Sequence, residues 1–175
     1  MWKFLKNFCP DGISILANVK CEEPLPLFVY PWVDFSNRGK KRKDPISSRF
    51  CGPSSDEFVI REYQRTISLY NEIKSEGYKP SEYPHSLIGG TFLISRSGEK
   101  RFIVMQGNHR MAILAHLGFS KILVRANARS IPFVDERKIE TWQNVRKGRC
   151  SVEHAGEVFE YFFKEKGTEI SRLIN

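Results

Sequence analysis

Residues 101–118, RFIVMQGNHRMAILAHLG, join an apolar strand to a helix through a single glycine. Gly107 has access to backbone angles that are closed to other residues, and it lets a ligand oxygen approach the main chain. His109 and Arg110 fall in the first helical turn, where backbone N–H groups lack intrahelical acceptors and the helix dipole favours negative charge. The stretch therefore predicts either a phosphate-binding turn or an ordinary strand-to-helix turn capped by Asn108.

A β-hairpin is predicted to lead the chain into this turn. Residues 86–95 have the composition of a strand, residues 96–99 are typical of a turn, and residues 100–106 form the returning strand. The first strand contains the flexible Gly89–Gly90 pair, and His85 before it is either a residue that faces the same pocket across the hairpin or simply an exposed residue. The candidate phosphate-binding residues are Gly89, Gly90, Thr91, Gln106, Gly107, Asn108, His109 and Arg110, and His109 and Arg110 are also the candidate catalytic residues.

Helices and one further strand are predicted around the hairpin. Ser54 and Glu57 have the spacing of a capping box, and apolar residues recur at helical spacing over residues 56–76. The helix that follows Gly107 is expected to end at Gly118. The remaining predicted elements are a strand at residues 121–126 and helices at residues 135–145 and 151–165.

The N-terminal segment is predicted to be irregular. Its six prolines forbid a continuous helix or a central strand, which leaves short strands near residues 13–19 and 27–33, the second only as an edge strand. The chain therefore divides into an irregular segment at residues 1–53 that packs on the core, a core at residues 54–127 and a helical C-terminal extension at residues 128–175. The predicted fold class is α/β (α+β), with a small mixed sheet and packed helices.

The length and the net charge of the chain limit the number of domains and the classes of molecule that it can bind. A chain of 175 residues with 41% hydrophobic residues is long enough for one domain with a substantial core. Its formal net charge of +8 favours nucleotides, nucleic acids, phosphorylated metabolites or an anionic surface. The basic run at residues 38–43 is predicted to be an exposed loop, which is either a solvated segment or a docking surface for nucleic acid.

Three patterns that are missing from the sequence bear on the location of the protein and on its cysteines: a membrane span, a signal peptide and a Cys-x-x-Cys pair. The longest apolar runs fall far short of the ~20 residues that a membrane-spanning helix needs, so no membrane span is predicted. Pro10 and Gly12 interrupt the first apolar patch before the core of a signal peptide forms, and we expect a cytoplasmic location. The four cysteines are scattered without a Cys-x-x-Cys pair, which predicts neither a zinc site nor a disulfide framework.

The order of these elements resembles the ParB/sulfiredoxin superfamily, in which a Gly-x-His-Arg or Gly-x-Arg-Arg loop opens a helix and holds nucleotide phosphates. The matching residues are the Gly-Asn-His-Arg motif at 107–110 and the Leu-Gly pair at 117–118, within a resemblance that covers residues 84–127. Sulfiredoxins place a reactive cysteine where Asn108 stands, which disfavours sulfinic-acid reduction. ParB members often have an alanine where Ile113 stands, and the chain after residue 126 is too short for their helix-turn-helix domain.

The resemblance implies an enzyme that binds ATP or CTP with Mg²⁺ and either hydrolyses the nucleotide or phosphorylates a small-molecule acceptor, as stand-alone members do with free serine. His109 and Arg110 would stabilise charge on the transferring phosphoryl group. The general base and the metal ligands are not singled out by any local pattern. The candidate carboxylates are Asp56, Glu57, Glu62, Glu82, Asp135 and Glu136.

Two alternative functions remain open at this point. The first is a nucleic-acid-binding ParB-like protein or a nuclease, which the net charge and the basic run at residues 38–43 favour. The second is a regulatory nucleotide-binding module without turnover. Trp32 and Trp142 are candidates for stacking on a base, although packing in the core is the more common role of tryptophan.

Overall fold

The computed structural model describes residues 6, 29–34, 54–82, 87–126 and 131–164. They belong to two compact units. The sheet unit comprises residues 60–134, and the aromatic unit comprises residues 1–59 and 135–175. The elements are β1 (Val29–Tyr30), β2 (Val33–Asp34), α1 (Asp56–Glu76), β3 (Ile88–Ile94), β4 (Lys100–Gln106), α2 (Asn108–His116), β5 (Val124–Ala126), β6 (Phe133–Asp135), a 3₁₀ helix (Glu136–Thr141), α3 (Gln143–Arg146) and α4 (Val152–Lys164).

The sheet unit is built on a mixed sheet with β3 at its centre. Strand β3 pairs antiparallel with β4 and parallel with β5, and β6 also pairs with β3. The core of the unit joins this sheet to two helices, because Ile88 of β3 is buried with Ile73 of α1 and with Ile113 and Leu114 of α2. The predicted small mixed sheet with packed helices is confirmed. The finer division at residues 53 and 127 stays a prediction.

Most predicted elements of the sheet unit are present. Helix α1 has the predicted bounds, the hairpin has its turn between β3 and β4, and α2 follows Gly107. At Gly118, φ is +79° and the N–H donates to the carbonyl of Ala115 at 3.1 Å, which ends α2 as expected. Strand β5 begins at Val124 and is therefore shorter than the predicted strand at residues 121–126.

The predicted capping box at the start of α1 is wrong by one residue. Because the helix begins at Asp56, the residue before it is Ser55, whose Oγ accepts a hydrogen bond from the N–H of Phe58 at 3.3 Å. The pKa of Glu57 is lowered by hydrogen bonds from its own backbone N–H and from the Ser55 hydroxyl. Ser55, not Ser54, therefore caps α1.

The aromatic unit is held together by packed rings. Trp32 is 3% exposed, and its ring centroid lies 5.5 Å from that of Trp142 and 6.0 Å from that of Phe159 on α4. The side chain of Asn144 is fully buried, and its Nδ2 donates to the carbonyl of Tyr30 at 2.6 Å. These contacts tie β1 and α3 together within the unit, and they give both tryptophans a role in the core.

Two predictions in the aromatic unit are corrected. The predicted strand near residues 27–33 is a hairpin, because the chain reverses at Pro31 and Trp32 between β1 and β2. The predicted helix at residues 135–145 is two short helices, because Trp142 is extended (φ −64°, ψ 144°) and its Nε1 donates to the carbonyl of Asp135 at 3.3 Å. The predicted helix at residues 151–165 is confirmed as α4.

Two further predictions fall elsewhere in the chain. The strand near residues 13–19 and the basic run at residues 38–43 lie outside the described residues. None of the described helices combines the length and the apolar character needed to cross a lipid bilayer.

Candidate functional site

The turn before α2 requires glycine on two grounds. Gly107 has φ 86° and ψ 27°, the left-handed region in which L side chains are strained. A Cβ at this position would also lie 3.2 Å from Cγ1 and 3.4 Å from Cα of Ile88 on β3. The turn is therefore held against the central strand of the sheet, and residue 107 carries no side chain of its own over its main chain.

Gly107 is also the N-cap residue of α2, and as a glycine it supplies no side-chain cap to the first turn. The N–H of Met111 donates to the carbonyl of Gly107 at 2.9 Å, so the N–H groups of residues 108–110 form the first turn, for which a helix supplies no backbone acceptors. Asn108 is the first helical residue and does not cap the helix, so the interpretation as an ordinary Asn-capped turn is wrong. The N-terminal turn of α2 contains no acidic residue.

His109 lies beside a carboxylate of α1. Its Nε2 is 3.7 Å from Oε2 of Glu62, and the same oxygen is 3.7 Å from Nη1 of Arg65. The side chain of Glu62 is 17% exposed and that of His109 is 32% exposed. The fold thus places Glu62, one of the six candidate carboxylates, next to the predicted phosphate-binding turn.

Arg110 extends from the same turn into a cleft. Its Nη1 lies 3.7 Å from the position of a Cβ on Gly107. Lys79, which also lines the cleft, has its Nζ 3.9 Å from carboxylate oxygens of Glu76 and Glu82. The cleft has a volume of about 40 Å³ and is lined by Leu69, Glu72, Ile73, Glu76, Gly77, Tyr78, Lys79 and Arg110. Because pockets for drug-sized ligands have volumes of about 300 Å³ or more, the cleft has room for one small group only.

The predicted residues of β3 have structural contacts. Gly90 lies where a Cβ would be 2.0 Å from the carbonyl oxygen of Ile103, beside an irregularity in the β3–β4 register. Thr91 is buried, and its Oγ1 donates to the carbonyl of Ile131 at 3.0 Å. Gly89 is paired with Gln106, the last residue of β4. Of the three β3 residues, Gly89 is paired with the residue that immediately precedes the Gly107 turn.

Three of the other candidate carboxylates, Asp56, Glu82 and Asp135, have ionic partners of their own. Asp135 accepts hydrogen bonds from Nε of Arg137 at 2.8 Å and from Nη2 at 2.7 Å, which lowers the pKa of Asp135 to about 2. Asp56 pairs with Lys6 at 2.6 Å. Among the residues that the structure describes, no group of three or more histidine, cysteine or acidic side chains is placed to hold a metal ion.

Comparisons with family models, with curated proteins and with solved structures found no match to the chain. Sequence reasoning named Glu62 without linking it to His109. The three-residue spacing between Glu62 and Arg65 on α1 can be seen in the sequence. The contact between Glu62 and His109 arises only when α1 and α2 pack on the same sheet.

Proposed function

We propose that the chain is a nucleotide-binding protein whose Gly107 turn holds phosphate groups of ATP or CTP. In this proposal it hydrolyses the nucleotide or transfers a phosphoryl group to a small-molecule acceptor. The observation that carries the proposal is the start of α2, where a left-handed glycine replaces a side-chain cap and His109 and Arg110 follow in the first turn. Such a start favours an anion because backbone N–H groups, the helix dipole and two basic side chains act together.

The proposal gives each residue of the turn a distinct task. Gly107 lets a phosphate oxygen come close to the main chain, and Gln106 and Asn108 flank that approach. His109 and Arg110 stabilise negative charge on the transferring group, since phosphoryl transfer depends on positioning and electrostatics. Mg²⁺ would be held mainly by the phosphate oxygens with one or two carboxylates, so a preformed cluster of protein ligands is not required.

Small pocket volume is compatible with this arrangement. In the proposal, the cleft beside Arg110 would take one small group, and the base and sugar of the nucleotide would lie outside it. Affinity would then come mainly from the phosphate groups, and we expect ATP and CTP to bind with similar strength. A strong preference for one base would contradict this part of the proposal.

Calorimetry with ATP, CTP and GTP in the presence of Mg²⁺ tests the proposal. The double variant His109→Ala/Arg110→Ala is expected to lose at least about tenfold in affinity, as loss of hydrogen bonds to charged groups implies. Arg96→Ala/Lys100→Ala is the matched control, because it removes two basic side chains at the opposite end of the β3–β4 hairpin. Release of inorganic phosphate, with and without serine as acceptor, then separates turnover from binding.

The outcomes of these measurements are distinct. Equal loss of affinity in both double variants would mean that net charge alone attracts the nucleotide. Absence of nucleotide binding by the wild type would overturn the proposal. Binding to random duplex DNA with steep salt dependence, unaffected by His109→Ala/Arg110→Ala, would favour the nucleic-acid alternative.

A further inference from the structure

We propose that Glu62 and Arg65 tune the affinity of the Gly107 turn for phosphate without contacting the ligand. Glu62 is the carboxylate beside His109 in the free protein, and Arg65 retains Glu62 when His109 turns toward a bound phosphate. This inference rests on the proposed function, because it describes how the same turn exchanges an internal anion for an external one. The ligand class is a terminal phosphate of a nucleoside di- or triphosphate or of pyrophosphate.

The geometry of the carboxylate supports an exchange. Oε2 of Glu62 is equidistant from Nε2 of His109 and Nη1 of Arg65, at 3.7 Å in each case. Both separations exceed hydrogen-bond distance, so this oxygen lies next to two basic side chains and is hydrogen-bonded to neither. A pair of this kind is weak, and a phosphate with two charges competes with one carboxylate for His109.

Partial burial explains why Arg65 is needed. Only 17% of the Glu62 side chain is exposed, so a carboxylate left without a cation would lose much of its hydration. Arg65 lies on the same helix as Glu62 at a spacing of three residues, and its side chain is 65% exposed. The Arg65 side chain can therefore move with the Glu62 carboxylate while it remains in solvent. It stays the ionic partner of Glu62 when the His109 side chain turns away.

Two substitutions are expected to change affinity in opposite directions. Glu62→Gln removes the competing charge with little change of shape, and it should tighten ATP and pyrophosphate binding by about threefold to fivefold, the range of exposed ion pairs. Arg65→Gln leaves His109 as the basic neighbour of Glu62 at this oxygen, and it should weaken binding by about the same factor. Neither residue is required to touch the ligand.

The double variant Glu62→Gln/Arg65→Gln separates this mechanism from a simple change in net charge. If Arg65 acts through Glu62, the effect of Arg65→Gln disappears in the Glu62→Gln background, whereas a long-range charge effect persists. Arg61→Gln, which removes a neighbouring basic residue of α1, is the control and should change affinity less than Arg65→Gln. Unfolding temperatures of all variants show whether any of them has lost its fold.

Calorimetric titration with ATP and with pyrophosphate at one fixed ionic strength provides the readout. Unchanged or weaker binding by Glu62→Gln, with the wild type binding normally, overturns the inference and leaves the proposed function intact. An Arg65→Gln effect that persists in the double variant also overturns it. Failure of the wild type and of every variant to bind either probe overturns the proposed function, and the inference falls with it.

Discussion

Helices α1 and α2 begin in opposite ways. At the start of α1, the hydroxyl of Ser55 accepts from the N–H of Phe58, and Asp56 and Glu57 place carboxylates in the first turn. At the start of α2, Gly107 replaces a capping side chain and the first turn carries no acidic residue. Helix α4 follows the pattern of α1, because Oγ of Ser151 accepts from the N–H of His154 at 3.0 Å.

The two helices differ in the source of the negative charge that stabilises the positive, N-terminal end of the helix dipole. Residues of α1 supply that charge from within the chain, which stabilises the helix in the free protein. The basic residues His109 and Arg110 add positive charge to the start of α2, which is unfavourable for the isolated helix and favourable for a bound anion. A phosphate that binds there is expected to raise the stability of the folded state.

The largest expected effect comes from placing a side chain in the α2 turn. Gly107→Ala combines a left-handed backbone with a Cβ 3.2 Å from Ile88, and we expect it to lower the free energy of unfolding by about 2 kcal/mol. Phosphate binding should be lost as well, because the new methyl group alters the main-chain approach. Urea denaturation and ATP titration of the same sample measure both effects.

Gly118→Ala is the matched control for this substitution. Gly118 has nearly the same φ, +79°, but no heavy atom lies within 4 Å of a Cβ placed there. We expect it to cost about 1 kcal/mol, the backbone part alone, and to leave phosphate binding unchanged. Equal costs at both glycines would show that the contact with Ile88 contributes nothing.

The starts of α1 and α2 also show which features of the fold can be predicted from the sequence. The Gly107 turn, the bounds of α1 and the end of α2 at Gly118 depend on local patterns, and all three were predicted. The cap of α1 was misplaced because Ser54 and Ser55 are adjacent hydroxyl residues, and the pattern of apolar residues does not define which one precedes the helix.

Contacts between distant residues account for what was missed. The pairing of Glu62 with His109 needs α1 and α2 to pack on the same strands, which no spacing in the sequence reveals. The break at Trp142 follows from the packing of its ring with Trp32 and Phe159, since local helical pattern is overridden by burial of a large aromatic side chain.

The second largest effect is expected at the cap of α1. Ser55→Ala removes the acceptor of the Phe58 N–H and should lower the free energy of unfolding by about 1 kcal/mol. Affinity for ATP should stay the same, because α1 begins with its own carboxylates and is not the proposed phosphate site. A loss of affinity comparable with that of Gly107→Ala would remove the contrast between the two helix starts.

Converting the start of α2 to the pattern of α1 should have a smaller effect of opposite sign. Asn108→Asp places a carboxylate in the first turn and is expected to raise the free energy of unfolding by about 0.5 kcal/mol. The same carboxylate repels phosphate, so the stabilisation of the protein by ATP in a thermal shift measurement should fall. Asn108→Ala removes the amide without adding charge, so it should not raise the free energy of unfolding, and it should reduce the stabilisation by ATP less than Asn108→Asp does.

The smallest effect is expected at the 3₁₀ helix, where Asp135 caps the first turn with its carboxylate and accepts from the N–H of Arg137 at 3.0 Å. Its pKa is lowered from 3.8 to about 2 by the hydrogen bonds from the Arg137 side chain, so the folded state favours the ionised form. Stability from this contact is fully present above pH 4 and is lost as the pH falls toward 2. The stability difference between wild type and Asp135→Asn should therefore be constant above pH 4 and shrink below it. A difference that is independent of pH down to 2 would show that the carboxylate acts through its shape and not through its charge.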